Sequence, residues 1–311
     1  MAQPEIHTEH GAENTPEGFN AGEVIIEHVA NGPLDHPIVH LPSIAGIDFS
    51  VTKHVLMLWI VAGIVFGTVT WATRRYLKQE RPVPHGFMNA VEWLVQAIRD
   101  SIALPNVGSK YVKAWTPLFL TFFCFIVVAN GIGLVPIFEV LGLVDHALLH
   151  SGEHSLVKRL IHGGATATAN YNVTAGLATI TFFAIIIAGS KAHGFVQHWK
   201  NLVPSGVSKA IYPILIPIEL MGMLVRPFAL TMRLAANMTG GHIAILAILS
   251  FVFLFNDLFN SAAVGIGVGM MLSVPLAVGI SALEIVVILV QAYVFTLLTA
   301  VFVGMAINVH H

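Results

Sequence analysis

From Ala210 to His311 the chain is apolar enough to lie in hydrocarbon, yet it carries Glu219, Arg226, Arg233, His242 and Glu284 within that stretch. Asp257 is the only other acidic or basic residue there before the terminal histidine pair. Backbone in lipid has to satisfy its own hydrogen bonds, which leaves helices or closed barrels. Apolar runs of this length suit helices. An ionisable side chain in hydrocarbon is costly, so each of these residues marks a functional position until shown otherwise. The chain as a whole is 56% hydrophobic and 10% charged, where a soluble domain carries about a quarter charged residues. It therefore reads as an all-α, polytopic membrane protein of about five membrane helices with one amphipathic interfacial helix. The net charge of -2 and the lack of a basic tract give no sign of nucleic-acid binding. The single cysteine, Cys124, sits in an apolar run and excludes a disulfide framework.

Residues 1–50 form a first, non-membrane segment, and residues 51–311 a membrane domain. The segment holds Glu5, Glu9, Glu13, Glu17, Glu23, Glu27, Asp35 and Asp48 with no Lys or Arg, and no secretory signal peptide is visible. Its histidines lack a tight ligand spacing, and neither a metal nor a cofactor is expected. A first span covers His54 to Thr73. Arg74, Arg75, Lys78 and Arg81 follow, which puts this loop in the cytoplasm and the N-terminus outside. Phe87 to Leu104 repeats Phe87, Val91, Leu94, Ile98 and Ile102 at helical spacing and is expected to lie on the membrane surface. The second span falls between Lys113 and Glu139 and ends NGIGLVP; the third runs from about Tyr171 to Gly189. The polar stretch 144–170 between them suits the outer side, and Lys191, Lys200 and Lys209 return the chain inside.

Two long helices complete the chain, over about 208–256 and 262–307. Pro213, Pro217 and Pro227 are expected to bend or break the first. The polar patch Asn256, Asp257, Asn260 and Ser261 makes the turn. Glu219, Arg226 and Arg233 are seven apart, about 700° of ideal helix, so they share one stripe, which Asn237 joins. Glu284 and Gln291 share a stripe on the last helix. An antiparallel hairpin turning near 262 sets Arg233 level with Gln291 and His242 level with Glu284. Such a polar track suits proton movement: His242 and Glu284 can exchange protons, while Asn237 and Gln291 order polar partners. Arg233 keeps its proton, blocks a proton wire and attracts a carboxylate. These helices offer no acid at its depth, which points to a carboxylate on another chain.

RLAANMTGGH (233–242) and EIVVILVQAYVFTLLT (284–299) resemble the signature helices of subunit a of F-type ATP synthases. Glu219, the Arg-Pro at 226–227, the NGIGLVP run and YNVTAGLA at 171–178 extend the likeness over roughly 50–307. The length and N-terminal segment of the chain read as those of a bacterial inner-membrane protein. The resemblance implies a non-catalytic subunit that translocates ions, protons first among them, through two offset half-channels. It implies that Arg233 faces the carboxylate of a rotating c-subunit ring, with Gln291 as its polar neighbour. Asn237, His242 and Glu284 would line the outer half-channel, and Glu219 the cytoplasmic one. The implied partners are the c ring, peripheral-stalk b subunits, the soluble head and membrane lipid, with the C-terminus cytoplasmic. The main alternative is a secondary transporter binding an anionic substrate at Arg233, against which the lack of an internal repeat counts. An intramembrane metalloenzyme ranks last, because no HExxH occurs.

Overall fold

The computed structural model describes Gly22 and residues 50–77, 86–135, 166–201, 211–259 and 262–308. The acidic segment 1–49 (Gly22 apart), Lys78, Arg81, Glu139, Lys158, Arg159, Lys209 and the terminal His pair lie outside the described residues, as does most of the stretch 144–170. In chain order the helices are α1 (Lys53–Leu77), α2 (Phe87–Ala97), α3 (Leu104–Leu134), α4 (Tyr171–His193), α5 (Phe195–Lys200), α6 (Tyr212–Phe259) and α7 (Ala262–Ile307). A π-helical turn, Ile98–Ala103, joins α2 to α3, and a 3-10 turn, Ala167–Ala169, leads into α4. Five helices among the described residues are long and apolar enough to cross a membrane, as the hydropathy pattern predicts. The chain is a multi-pass membrane protein.

The amphipathic segment behaves differently along its length. Phe87 is exposed, but Ile98 and Ile102 are buried against Ala184, Ile185, Val303 and Ile307. The C-terminal half of the expected surface helix is thus part of the protein core. The break before the second span comes at Gly108, whose φ of 74° is open to glycine without strain. Asn170 caps α4 by accepting from the Asn172 amide at 2.8 Å.

α6 and α7 pack as the expected antiparallel hairpin. α6 runs on as helix through Pro217 and Pro227, so proline does not break it. Asn256 and Asp257 belong to its last turns rather than to the connection. Four contacts fix the register from the turn outward. Gly269 approaches Val252 so closely that a Cβ on it would meet the Val252 Cα at 2.6 Å. Gly241 lies against Glu284, Asn237 bonds Gln291, and the Arg226 guanidinium lies over the Phe302 ring at 5.6 Å. Behind the hairpin, Phe122 and Ile126 of α3 and Leu177 and Ala178 of α4 pack on Leu230, Leu234, Ala292 and Phe295. The Phe122 and Phe295 rings meet edge-on at 5.4 Å.

The apolar part of α6, Tyr212–Asn256, is 45 residues long, which is about 68 Å of helix. The hydrocarbon is about 30 Å thick. Ile214, Ile218, Leu224, Phe228, Ile243 and Phe253 expose large apolar side chains along this whole length. They stay in lipid only if the helix lies strongly inclined to the membrane normal.

Candidate functional site

Burial of Leu230, Leu234 and Ala235 against α3, α4 and α7 fixes the rotation of α6. That rotation turns Arg233 outward, where it is exposed beside Ala229, Ala236 and Gly240 on the same face. Among the described residues the Arg233 side chain has no hydrogen-bond or ion-pair partner. The small residues around it leave room for another helix to come close.

One turn further on, Asn237 donates through Nδ2 to Oε1 of Gln291 at 2.9 Å. Gln291 is 5% exposed. The hairpin register expected from the sequence sets Gln291 level with Arg233; the hydrogen bond instead joins it to Asn237. Two turns of α7 before Gln291 lies Glu284, on the same inward stripe as Ile288 and Phe295. It is 4% exposed, and neither carboxyl oxygen has a hydrogen-bond partner among the described residues. A buried carboxyl left this way is expensive and calls for an explanation in function. It sits against Gly241, where a Cβ would lie 2.6 Å from Oε1. Glu284 thus reaches the depth of His242, within one residue of the expected pairing.

His242 Nε2 lies 2.6 Å from the Thr166 hydroxyl oxygen. Thr166 and Thr168 are fully buried, and Thr168 donates to the Asn130 side chain on α3. Thr239 donates to the carbonyl of Ala169 at 3.4 Å. The short segment ahead of α4 is therefore wedged between the ends of α3 and the middle of α6. Sequence reasoning assigned it to a polar outer loop and missed Thr166, Thr168 and Asn130. A signal existed: no charge separates Arg159 from Lys191, and the threonines alternate with alanines.

Glu219 does not join this group. It is half-buried near the start of α6, fourteen residues before Arg233, which is about 21 Å along the axis. The structure thus gathers Asn237, Gln291, His242 and Glu284 between α6 and α7, leaves Arg233 on their outer face and keeps Glu219 apart.

The profile of the family described as ATP synthase A chain matches residues 55–304. The chain belongs to the ATP synthase subunit a family. It is 37% identical to ATP synthase subunit a 2 of Chlorobium luteolum, over 97% of this chain and 81% of that one. It is 38% identical to ATP synthase subunit a 2 of Prosthecochloris aestuarii, over 97% of this chain and 84% of that one. ATP synthase subunit a of Pelodictyon phaeoclathratiforme is 38% identical, over 92% and 76%. The work of this subunit a family is proton transport in the membrane sector of F-type ATP synthases. Of the polar residues described on these two helices, Glu284 and Gln291 are buried, His242 is partly buried, and Asn237 and Arg233 are exposed.

Proposed function

We propose that the chain supplies two offset half-channels and the fixed positive charge that separates them. Arg233 faces the carboxylates of a rotating c ring. Its guanidinium does not give up its proton, so no proton passes through it from one half-channel to the other. It attracts a ring carboxylate that has just lost its proton and releases it when the next one arrives. The outer half-channel is lined by Asn237, His242 and Glu284, and Gln291, bonded to Asn237, is the polar neighbour of Arg233. His242 and Glu284 are its proton-exchanging members, and the amides hold polar partners at the level of the arginine. Glu219 belongs to the cytoplasmic half-channel, which agrees with its distance from the other group.

A proton moving down 100 mV releases about 2.3 kcal/mol. Because the half-channels do not meet, that proton has to ride the ring, and rotation carries the energy to the soluble head. Peripheral-stalk b subunits hold this chain still against the ring. The charge pattern of the loops supports an N-terminus outside and a C-terminus in the cytoplasm, and the likeness to bacterial relatives supports a bacterial inner-membrane subunit.

The observation that carries this reading is Arg233 itself: a permanent cation on a lipid-embedded hairpin, turned outward and without a partner in its own chain among the described residues. Arg233→Ala in the intact complex is expected to abolish proton-driven ATP synthesis while hydrolysis by the soluble head persists. Normal synthesis by that variant would overturn the assignment.

A further inference from the structure

We propose that Thr166 is a positioning residue for proton entry, holding the His242 imidazole in one orientation through both of its protonation states. The proposal rests on the proton-path reading above and adds a residue to it.

The Thr166 hydroxyl oxygen is 2.6 Å from His242 Nε2, and the residue is completely buried. Its place is set by contacts that do not involve the histidine. Gly133, in the last turn of α3, receives the threonine side chain: a Cβ there would lie 1.8 Å from Oγ1 and 2.7 Å from the Thr166 Cβ. Two residues later Thr168 is tied to Asn130, and the Ala169 carbonyl accepts from Thr239. The segment is therefore pinned to α3 on one side and α6 on the other, and the hydroxyl imposes its position on the ring.

The chemistry of a hydroxyl suits this task. It donates to a bare imidazole nitrogen and accepts from a protonated one, and only its own hydrogen has to rotate. A ring that gains and loses protons at every turnover thus keeps its partner without moving. A cation at position 166 would favour the neutral ring, and an amide would have to turn over to serve both states. The titratable group brought to this level from α7 is Glu284, against Gly241. The 3-10 segment and the end of α3 bring threonine, asparagine and glycine among the described residues. On α6 the nearest charged residue is Arg233, nine positions away; from α4 the first residue, Tyr171, is exposed.

The test uses the whole ATP synthase in proteoliposomes, with the pH on the outer face varied. Thr166→Val removes the hydroxyl at nearly constant volume. It is expected to slow proton-driven synthesis about tenfold, the effect of one lost hydrogen bond to a charged group. It should also displace the outer-side pH dependence towards acid, because the bond lost by the imidazolium is charge-assisted and stronger than the one lost by the neutral ring. Thr166→Ser should restore both rate and profile. If the valine variant fails to assemble, Thr166→Ala and Thr166→Ser are compared. A serine enzyme that works beside an alanine enzyme that does not supports the proposal, and equal behaviour overturns it. Wild-type rate and profile in Thr166→Val also overturn it. Arg233→Ala is measured in parallel. Retained synthesis there removes the proton-path reading itself, whereas lost synthesis there with an unaltered Thr166→Val removes only the role of Thr166.

Discussion

Asn237 and Gln291 are joined side chain to side chain across the α6–α7 hairpin, at 2.9 Å between nitrogen and oxygen. The bond lies one helical turn beyond Arg233 and so ties the register of both long helices to the position of the cation. A cysteine pair at 237 and 291, with Cys124 replaced, is expected to be linked efficiently by a short thiol-specific reagent. A pair at 233 and 291 should react less, since Gln291 is in contact with Asn237 and makes no bond to Arg233. Stronger linkage at 233 than at 237 would show that the helices sit in another register.

Arg233→Lys keeps the charge and changes its shape. A planar, delocalised fork becomes a compact, strongly hydrated ammonium that gives up its proton far more readily when desolvated. The expected loss of proton-driven synthesis is at least about tenfold, with normal assembly of the complex. Synthesis within about twofold of the wild type would mean that charge alone suffices at this position.

Gly304 tests how the end of α7 is seated. A Cβ there would meet the Asn106 carbonyl oxygen at 2.4 Å and its carbon at 2.9 Å. The same carbonyl accepts from Asn308 at 3.0 Å, and His193 Nε2 lies 2.8 Å from the Ile307 carbonyl. Backbone cannot yield as a flexible side chain does. Gly304→Ala is therefore expected to cost about 1–3 kcal/mol and to lower the thermal denaturation midpoint of the detergent-solubilised subunit. An unchanged midpoint would contradict the close packing at this joint.

His198 gives the joint between α4 and α5 a dependence on pH. α5 folds back after Gly194, whose φ is 91°, and seats the His198 ring where a Cβ on Gly189 would lie 2.0 Å from Nδ1. Burial, with a smaller contribution from His193, holds the imidazole below its ordinary value. The docked helix thus favours the neutral ring, while the undocked one takes up a proton near pH 6.5, roughly the free value. Docking is at full strength above that pH and weakens as the pH falls below it, levelling off beneath the folded-state value. Hydrogen exchange over residues 195–200, corrected for its intrinsic pH dependence, should show protection falling on acidification below about pH 6.5. His198→Phe should flatten that response; equal sensitivity in both proteins would exclude this histidine as the cause.

Much of this was legible in the sequence because lipid leaves few choices. Uncharged runs such as His54–Thr73 have to become helices, and the paired spacing of Arg233, His242, Glu284 and Gln291 already implied a hairpin. Glu284 falls within one residue of its expected level, yet Gln291 bonds Asn237 and not Arg233, because matched numbers across a hairpin give depth and not which side chain reaches the partner helix. Asn256 and Asp257 are soluble enough to suggest a loop, yet they finish α6. The burial of Ile98 and Ile102 was hidden for a different reason. An apolar stripe says that a face is covered, and lipid and protein cover it equally well. Thr166 was harder still, since what makes it matter is the space above Gly133, a contact between segments far apart in the chain.

The slant of α6 changes what distance along it means. If its 45 apolar residues fit a layer about 30 Å thick, each advances only about 0.7 Å towards the opposite face. The nine steps from Arg233 to His242 then cover about 14 Å of helix but only about 6 Å of depth. The cation and the histidine stand almost abreast, so only a minor share of the electrical drop falls between them. On the proposed path, the greater part is spent by protons on their way in to that level and out from it.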